Sequence, residues 1–407
     1  MNPNPPSRTR LPFRRPSPRR ATARRGRPGG LPRFMTGSAR DAINLRWNYK
    51  DAINLATGEW TRAGYRAPAC YVTNASPLVK ATFSVAPTNL PAVRLFAETA
   101  AAIGGFAITN VSFSNGAASN VVLSTRSATT NCVLKETFDL TWKAVVSNET
   151  EIVTNILGKT DGHVFYTILG EPKLPWTDSE IANTNVWVSA LEFVTKTNAC
   201  FGETTQHGAI SNLTRCLFQD CHFTYDTTSG NPHFFDSTNR AFQMSDYVSA
   251  ANTTTDKTVN CFDQAHGLSF LSALCGIPAE IVRMEPFGYL NPGHLVGVSG
   301  LCNNPFYSSP RSTSTNPSCG TNDTSRSKFS CHFFVRHNSS IFDSCAGPAL
   351  GTETLSEYVS RMVDTSTSDE RFYEIPYRDI YGFVHKKTVE GGVATNAVPY
   401  TDIKTIE

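Results

Sequence analysis

No stretch of this chain reaches the roughly 18 consecutive apolar residues that a membrane span needs, so no span is expected. Acid is missing from the first 34 residues, which hold ten of the 37 basic side chains. Without that arm the remainder carries 27 basic against 34 acidic residues, a net charge of −7. A nucleic-acid interface needs cations spread over a folded face, whereas these sit in a Pro/Gly/Arg stretch that cannot bury a core, so nucleic-acid binding by the folded body is not expected. The arm also lacks the apolar run of about 7–15 residues of a secretory signal. Its Arg14-Arg15-Pro16 and Arg24-Arg25 runs fit a transit-like or polyanion-binding arm, or a disordered leader, or a reading frame extended upstream of Met35. The abrupt change of composition near Met35 favours the last two readings.

Cysteine, by contrast, is abundant. Eleven cysteines are many for a reduced compartment, and setting one aside as a nucleophile leaves ten that could form up to five bridges. That count and seven Asn-x-Ser/Thr sites favour an extracellular or cell-envelope location, against which stands the absence of a recognisable signal.

At 407 residues the chain is long enough for two domains plus tails. We expect a disordered Arg/Pro-rich leader over 1–40, a β-sandwich over 41–155, a catalytic domain over 156–370 and an extension over 371–407. Within the second segment, short β-rich runs at Cys70–Thr73, Val79–Val85, Val93–Ala97, Phe106–Phe113, Asn120–Leu123, Asn131–Leu134 and Phe138–Val146 are divided by turn residues, the pattern of an immunoglobulin-like sandwich. Cys70 and Cys132 could bridge within it. After Gly162 the pattern changes. A strand-like His163–Leu169 is followed by a Pro-containing break at Glu171–Trp176 and a helical run from Val186 to Cys200, and the polar stretch 202–258 reads as loops and short elements.

The strongest signal is NCFDQAHGLSFLSALCGIPAEIVRM, residues 260–284. Asn260 is a good N-cap, Asp263 falls at the third helical position, and Gly276-Ile277-Pro278 supplies the stop. Apolar or small residues at 262, 265, 268, 271, 272 and 275 keep helical period and predict one buried face. Cys261 then lies on the first turn, where unpaired N–H groups and the helix dipole favour a thiolate, the nucleophilic form. The negative charge of Asp263 opposes this, so a protonated histidine partner is needed.

Three histidines compete for that role. His266 is five residues on and faces away from Cys261, which favours helix packing. His294 stands beside Pro292-Gly293 with no partner acid nearby, which favours a loop. His332 opens a strand-like FSCHFFVRH run that turns at Asn338-Ser339 and returns as IFDSC with Asp343. A two-residue turn pairs His337 with Ser340, makes His332 and Asp343 diagonal neighbours on one face, and disfavours a Cys331–Cys345 bridge. Nucleophile, base and orienter are thus Cys261, His332 and Asp343. Cys216, Cys221 and His222 could begin a zinc site, but no second ligand pair follows; a local bridge or free thiols are favoured. Gln206 and Trp187 are the upstream candidates for a side-chain oxyanion donor.

Cys261-x-Asp263-x-Ala265-His266 followed by Leu274-Cys275-Gly276-Ile277-Pro278-Ala279 resembles the cysteine motif of bacterial transglutaminase-like proteins. CHFFV and IFDSC resemble that family's histidine and aspartate strands. The resemblance covers roughly 160–365 and differs in having Phe333-Phe334 after the histidine and a long insertion carrying Cys302 and Cys319. It implies an α+β papain-like core, a helix with the thiol packed on an antiparallel sheet with His332 and Asp343. It also implies acyl transfer to water or an amine, on a protein or peptide substrate, with no cofactor. A cysteine peptidase is the preferred reading; a non-catalytic secreted or surface binding protein on the same scaffold is the alternative.

Overall fold

The computed structural model describes residues 33–302 and 328–363, except positions 40, 50–53, 56–58, 62–63, 87, 89–91, 148–151, 178–184, 256, 286–287 and 330, together with 377–378, 384–385, 397–400 and 405–406. The Arg-rich arm before 33, Cys319, and the sequons at Asn148 and Asn322 lie outside the described residues.

Most described strands of the first half form two sheets, while Leu45–Arg46 and Asn54–Leu55 pair with Val186–Trp187 in a third. Of the first two, one has the strand order Glu59–Thr61, Arg33–Ala39, Leu78–Ser84, Ala117–Ser124; the other runs Ala69–Val72, Ile152–Ile168, Leu134–Ser147, Ala92–Glu98, Phe106–Ser112. Alternation of side chains along each strand sends one set inward. Phe83, Leu95, Phe106, Leu123 and Trp142 from both sheets bury one common core. Trp142 sits among Phe83 and Phe106 rings at 5.6 and 5.9 Å and satisfies its indole N–H on Thr160 Oγ1 at 3.0 Å.

Six of the seven expected β-runs are strands, with ends shifted by a few residues. The exception is Asn131–Leu134, of which only Leu134 belongs to a strand. His163–Leu169, expected to open the second domain, mostly belongs to the 17-residue strand Ile152–Ile168, and the expected division at 155/156 falls inside that strand. The misleading feature is glycine. Gly162, at φ +69°, sits in an irregularity of the ladder where Phe138 pairs with His163 and Leu140 with Thr160, and Gly158 pairs with Trp142. Bulges of this kind absorb glycine without ending a strand.

The same strand serves two cores. Phe165 faces the inter-sheet core, whereas Tyr166 and Ile168, with Cys70 of the neighbouring strand, join the core of the second half. That second core is built on helices α1 (Val188–Val194), α2 (Gln206–Arg215), α3 (Met244–Ala251), α4 (Cys261–Leu274) and α5 (Leu355–Met362), with a π-helical turn at Cys216–Asp220. The helical run expected over 186–200 is helix only in α1, and the stretch read as loops and short elements holds α2 and α3.

An antiparallel sheet of order Ala349–Leu350, Ser340–Asp343, His332–His337, Glu280–Met284, Ala397–Pro399 packs against α4. The helix starts and stops as its caps predict, but its burial differs: all fourteen residues are buried, not one face. Its polar side chains therefore need partners. Gln264 donates to the carbonyls of Leu217 and Ser344 at 3.4 and 3.1 Å and accepts from Tyr247, and Ser269 donates to Ala279 O at 2.6 Å. Tyr247 lies so close that a Cβ on Gly267 would stand 2.3 Å from its ring.

Candidate active site

The site begins at the N-terminus of α4. Asn260 accepts the Asp263 N–H at 3.0 Å and Asp263 accepts the Asn260 N–H at 3.1 Å, a reciprocal cap that fixes the first turn. Asp263 also accepts the backbone N–H groups of His233 and Phe234, at 2.8 and 3.0 Å, which ties the 226–234 loop to the helix start. Its carboxyl is pushed up to about 6 by burial, against the pull of these backbone donors. The acid that opposes the thiolate by charge is thus engaged in holding Cys261 in place.

Cys261 is the first residue of the helix and His332 the first residue of its strand; their exposures are 7% and 3%. The turn at Asn338, φ +55°, gives the register His337 with Ser340, Arg336 with Ile341 and Val335 with Phe342. His332 and Asp343 are diagonal in that register, and His332 Nε2 lies 2.8 Å from Asp343 Oδ2. Cys345 carries no disulfide. Cys261 lies near enough to the same imidazole to act on its charge. With Nε2 turned to the carboxylate, a thiol bonding the ring would meet Nδ1.

Burial alone would make His332 a weaker base. The charge and hydrogen bond of Asp343, joined by those of Cys261, outweigh burial and push the imidazole up to about 10. Asp343 is 1% exposed; burial raises it, but the charge of His332 and four hydrogen-bond donors hold it below the usual carboxylate range. Two of those donors are the Cys345 and Ala346 N–H groups on Oδ1, at 2.7 and 3.0 Å. Tyr225 stands beside the site, its phenol pushed up by burial and then by the charges of Cys261, Cys345 and Cys331.

The rival residues fall elsewhere. His266 points into a box of Phe242, Phe262, Phe270, Phe333 and Tyr400 rings, with Nδ1 on Phe262 O at 2.7 Å and Nε2 without a partner. Burial pushes it down to about 3. His294 is exposed and gives its carbonyl to Gly347 N–H at 3.0 Å. The suggested oxyanion donors have other neighbours. Gln206 donates to Gly276 O at 3.4 Å, at the far end of the helix. Trp187 packs on Trp176, which donates to Phe270 O, about 13 Å along the helix from Cys261 at 1.5 Å per residue.

Cys216 and Cys221 are free thiols with sulfurs 3.8 Å apart, His222 is exposed, and no cluster of ligands suited to a metal exists among the described residues. Cys70 and Cys132 are also free, so the expected sandwich bridge is not formed. The residue that sequence reasoning missed is Tyr358, whose hydroxyl lies 3.0 Å from His332 Nε2 and 2.5 Å from Asp343 Oδ2. The signal for it was present: Thr354-x-x-Glu357 is a capping box that opens α5, and Tyr358 follows at once.

No protein-family model matches the chain, and no curated protein matches it. Among solved structures it is similar to the transglutaminase of red sea bream, with 12% identity and a TM-score of 0.42 over 84% of this chain. The chain spans 60% of the length of that transglutaminase.

Proposed function

We propose that the chain is a thiol-dependent acyl-transfer enzyme in which Cys261 is the nucleophile, His332 the acid and base, and Asp343 the residue that orients the histidine. The observation that supports this reading is that one buried imidazole is bonded to Asp343 and has Cys261, the first residue of α4, as its neighbour. An imidazole that Asp343 favours in its charged form, beside a thiol at a helix start, is suited to stabilise a thiolate and then to return the proton. Cys261 sulfur bonds to the carbonyl carbon of an amide, its proton residing on His332, while the Cys261 backbone N–H helps hold the oxyanion. As the C–N bond breaks, His332 gives its proton to the leaving amine, and a thioester remains. Water or an amine then attacks the thioester, His332 takes up the incoming proton, and the sulfur leaves.

Hydrolysis of peptide or amide bonds is the preferred outcome, with transamidation by the same route. On this reading the second half is a papain/transglutaminase-like core, with bounds near 156–370, and the two sheets before it are an immunoglobulin-like sandwich. The burial of Cys261 and His332 favours a second reading, a secreted or surface binding protein on the same scaffold.

Iodoacetamide at neutral pH separates the two. An acyl-transfer site gives fast alkylation of Cys261 over the half-buried Cys132, and activity against a protein mixture that Cys261→Ala abolishes. Turnover retained in Cys261→Ala, or a Cys261 no faster than Cys132, defeats the enzyme reading.

A further inference from the structure

We propose that Tyr358 is a positioning residue for the His332–Asp343 pair, fixing the face of the imidazole that is turned away from the thiol; this rests on the triad reading above. The four donors to Asp343 fill both carboxylate oxygens. Cys345 and Ala346 N–H take Oδ1, and His332 and Tyr358 take Oδ2. Tyr358 is the one among them supplied from outside the sheet and the turn that follows Asp343; it stands on α5, so it ties the sheet's acid to a helix. Its oxygen, 3.0 Å from His332 Nε2, offers that N–H a second acceptor beside Oδ2. Two acceptors on one side of the ring restrict its rotation more than one, and Nδ1 is thereby held toward Cys261.

The phenol itself is held by packing. Its ring is buried completely, 4.9 Å from the ring of Phe334, two residues along the strand from His332, and Arg361 lies 5.4 Å over it. Arg361 is in turn anchored on Glu353 by contacts of 2.6 and 2.8 Å, and the capping box fixes the helix start. Such a hydroxyl has no freedom to seek other partners, and burial and Asp343 keep it protonated, so it donates to Asp343 and accepts from His332 without acting as an acid or base. Its hydrogen bond is one of the interactions that keep the Asp343 carboxylate ionised.

The test is Tyr358→Phe in the whole chain, which removes the hydroxyl and keeps the ring. Two readouts are taken: the pH profile of Cys261 alkylation by iodoacetamide, and the proton resonance of His332 Nε2–H. We expect alkylation at pH 7 to slow about tenfold, the usual scale for one buried hydrogen bond to a charged group. Its acid limb should move to higher pH, because Asp343 with one donor fewer takes up a proton sooner. The Nε2–H resonance should shift downfield as its hydrogen bond goes to Asp343 alone. A purely structural tyrosine would lower the melting temperature and leave both readouts in place, and that result overturns the proposal. If the phenylalanine variant does not fold, 3-fluorotyrosine incorporated at 358, a stronger donor, should move the acid limb to lower pH and shift the same resonance; no change in either sinks the idea. A Cys261 that alkylates no faster than Cys132 in the unmodified protein defeats the triad reading instead. The Nε2–H resonance still decides the placement of Tyr358 in that case.

Discussion

Single residues on α4 separate chemistry from packing. Cys261 and Cys275 are both buried thiols at the two ends of one helix, but only Cys261 meets an imidazole. Cys261→Ala should therefore abolish acyl transfer with little loss of stability, whereas Cys275→Ala should cost about 1 kcal/mol or more with activity kept. Activity and melting temperature measured on both variants check this. His266 makes a different prediction. Its ring is depressed from 6.5 to about 3, so the unfolded chain binds a proton that the folded chain refuses. The neutral ring costs nothing above pH 6.5, and stability falls as pH drops from there toward 3, by up to about 1.4 kcal/mol per unit. Asp263 works in the opposite sense between about 6 and 3.8, because the folded state takes up its proton first. His266→Phe removes the larger of the two effects, so its melting temperature should decline less between pH 7 and 4.5 than that of the parent. Parallel declines would show that His266 is not buried and neutral.

Elements differ in how far the sequence announces them, and the difference is physical. The caps of α4 are local: Asn260 and Asp263 bond each other, and Gly276 takes the left-handed φ of +80° that ends the helix. The His332 and Asp343 hairpin is local too, its register following from a two-residue turn. Burial of the whole of α4 is not local, since it depends on α1, α2, α3 and the sheet arriving from distant sequence. Helix α2 was hidden because Ala209, Ile210 and Leu213 are few among polar residues, although the Thr205 side chain caps it by accepting the Gly208 N–H. The strand Ala397–Pro399 is too short to show a period, yet it extends the site's sheet beside Glu280–Met284. Asn338 tests the hairpin directly. Its positive φ suits Asn or Gly, so Asn338→Ala should lower stability by about 1 kcal/mol and Asn338→Gly should not. Equal melting temperatures for the two variants would mean that the turn does not set the register that joins His332 to Asp343.

At the scale of the whole molecule, the strand Ile152–Ile168 decides whether the two halves are separable. Along most of its length it pairs with Leu134–Ser147, and near its end it pairs in parallel with Ala69–Val72. Phe165 belongs to one core, and Tyr166 and Ile168 to the other. Val133, next to the Leu134–Ser147 strand, also joins the second core and exchanges backbone hydrogen bonds with Gly202 and Glu203 ahead of α2. A chain cut at 155/156 would keep most of this strand without either neighbour. It would expose the apolar side chains that Cys70 and Val133 cover, and leave a row of unpaired backbone groups on a sheet edge. We therefore expect the fragment 156–407 to show no cooperative thermal transition and no selective alkylation of Cys261, while the intact chain melts in one transition sensed by both cores. Leu95→Ala, in the inter-sheet core and remote from α4, should then lower the temperature at which Cys261 loses its selective reactivity, by the several degrees that a loss of about 2–5 kcal/mol implies. A fragment 156–407 that folds and alkylates like the parent, or a Cys261 indifferent to Leu95→Ala, would show that the shared strand does not couple the cores, and that the site stands on the second half alone.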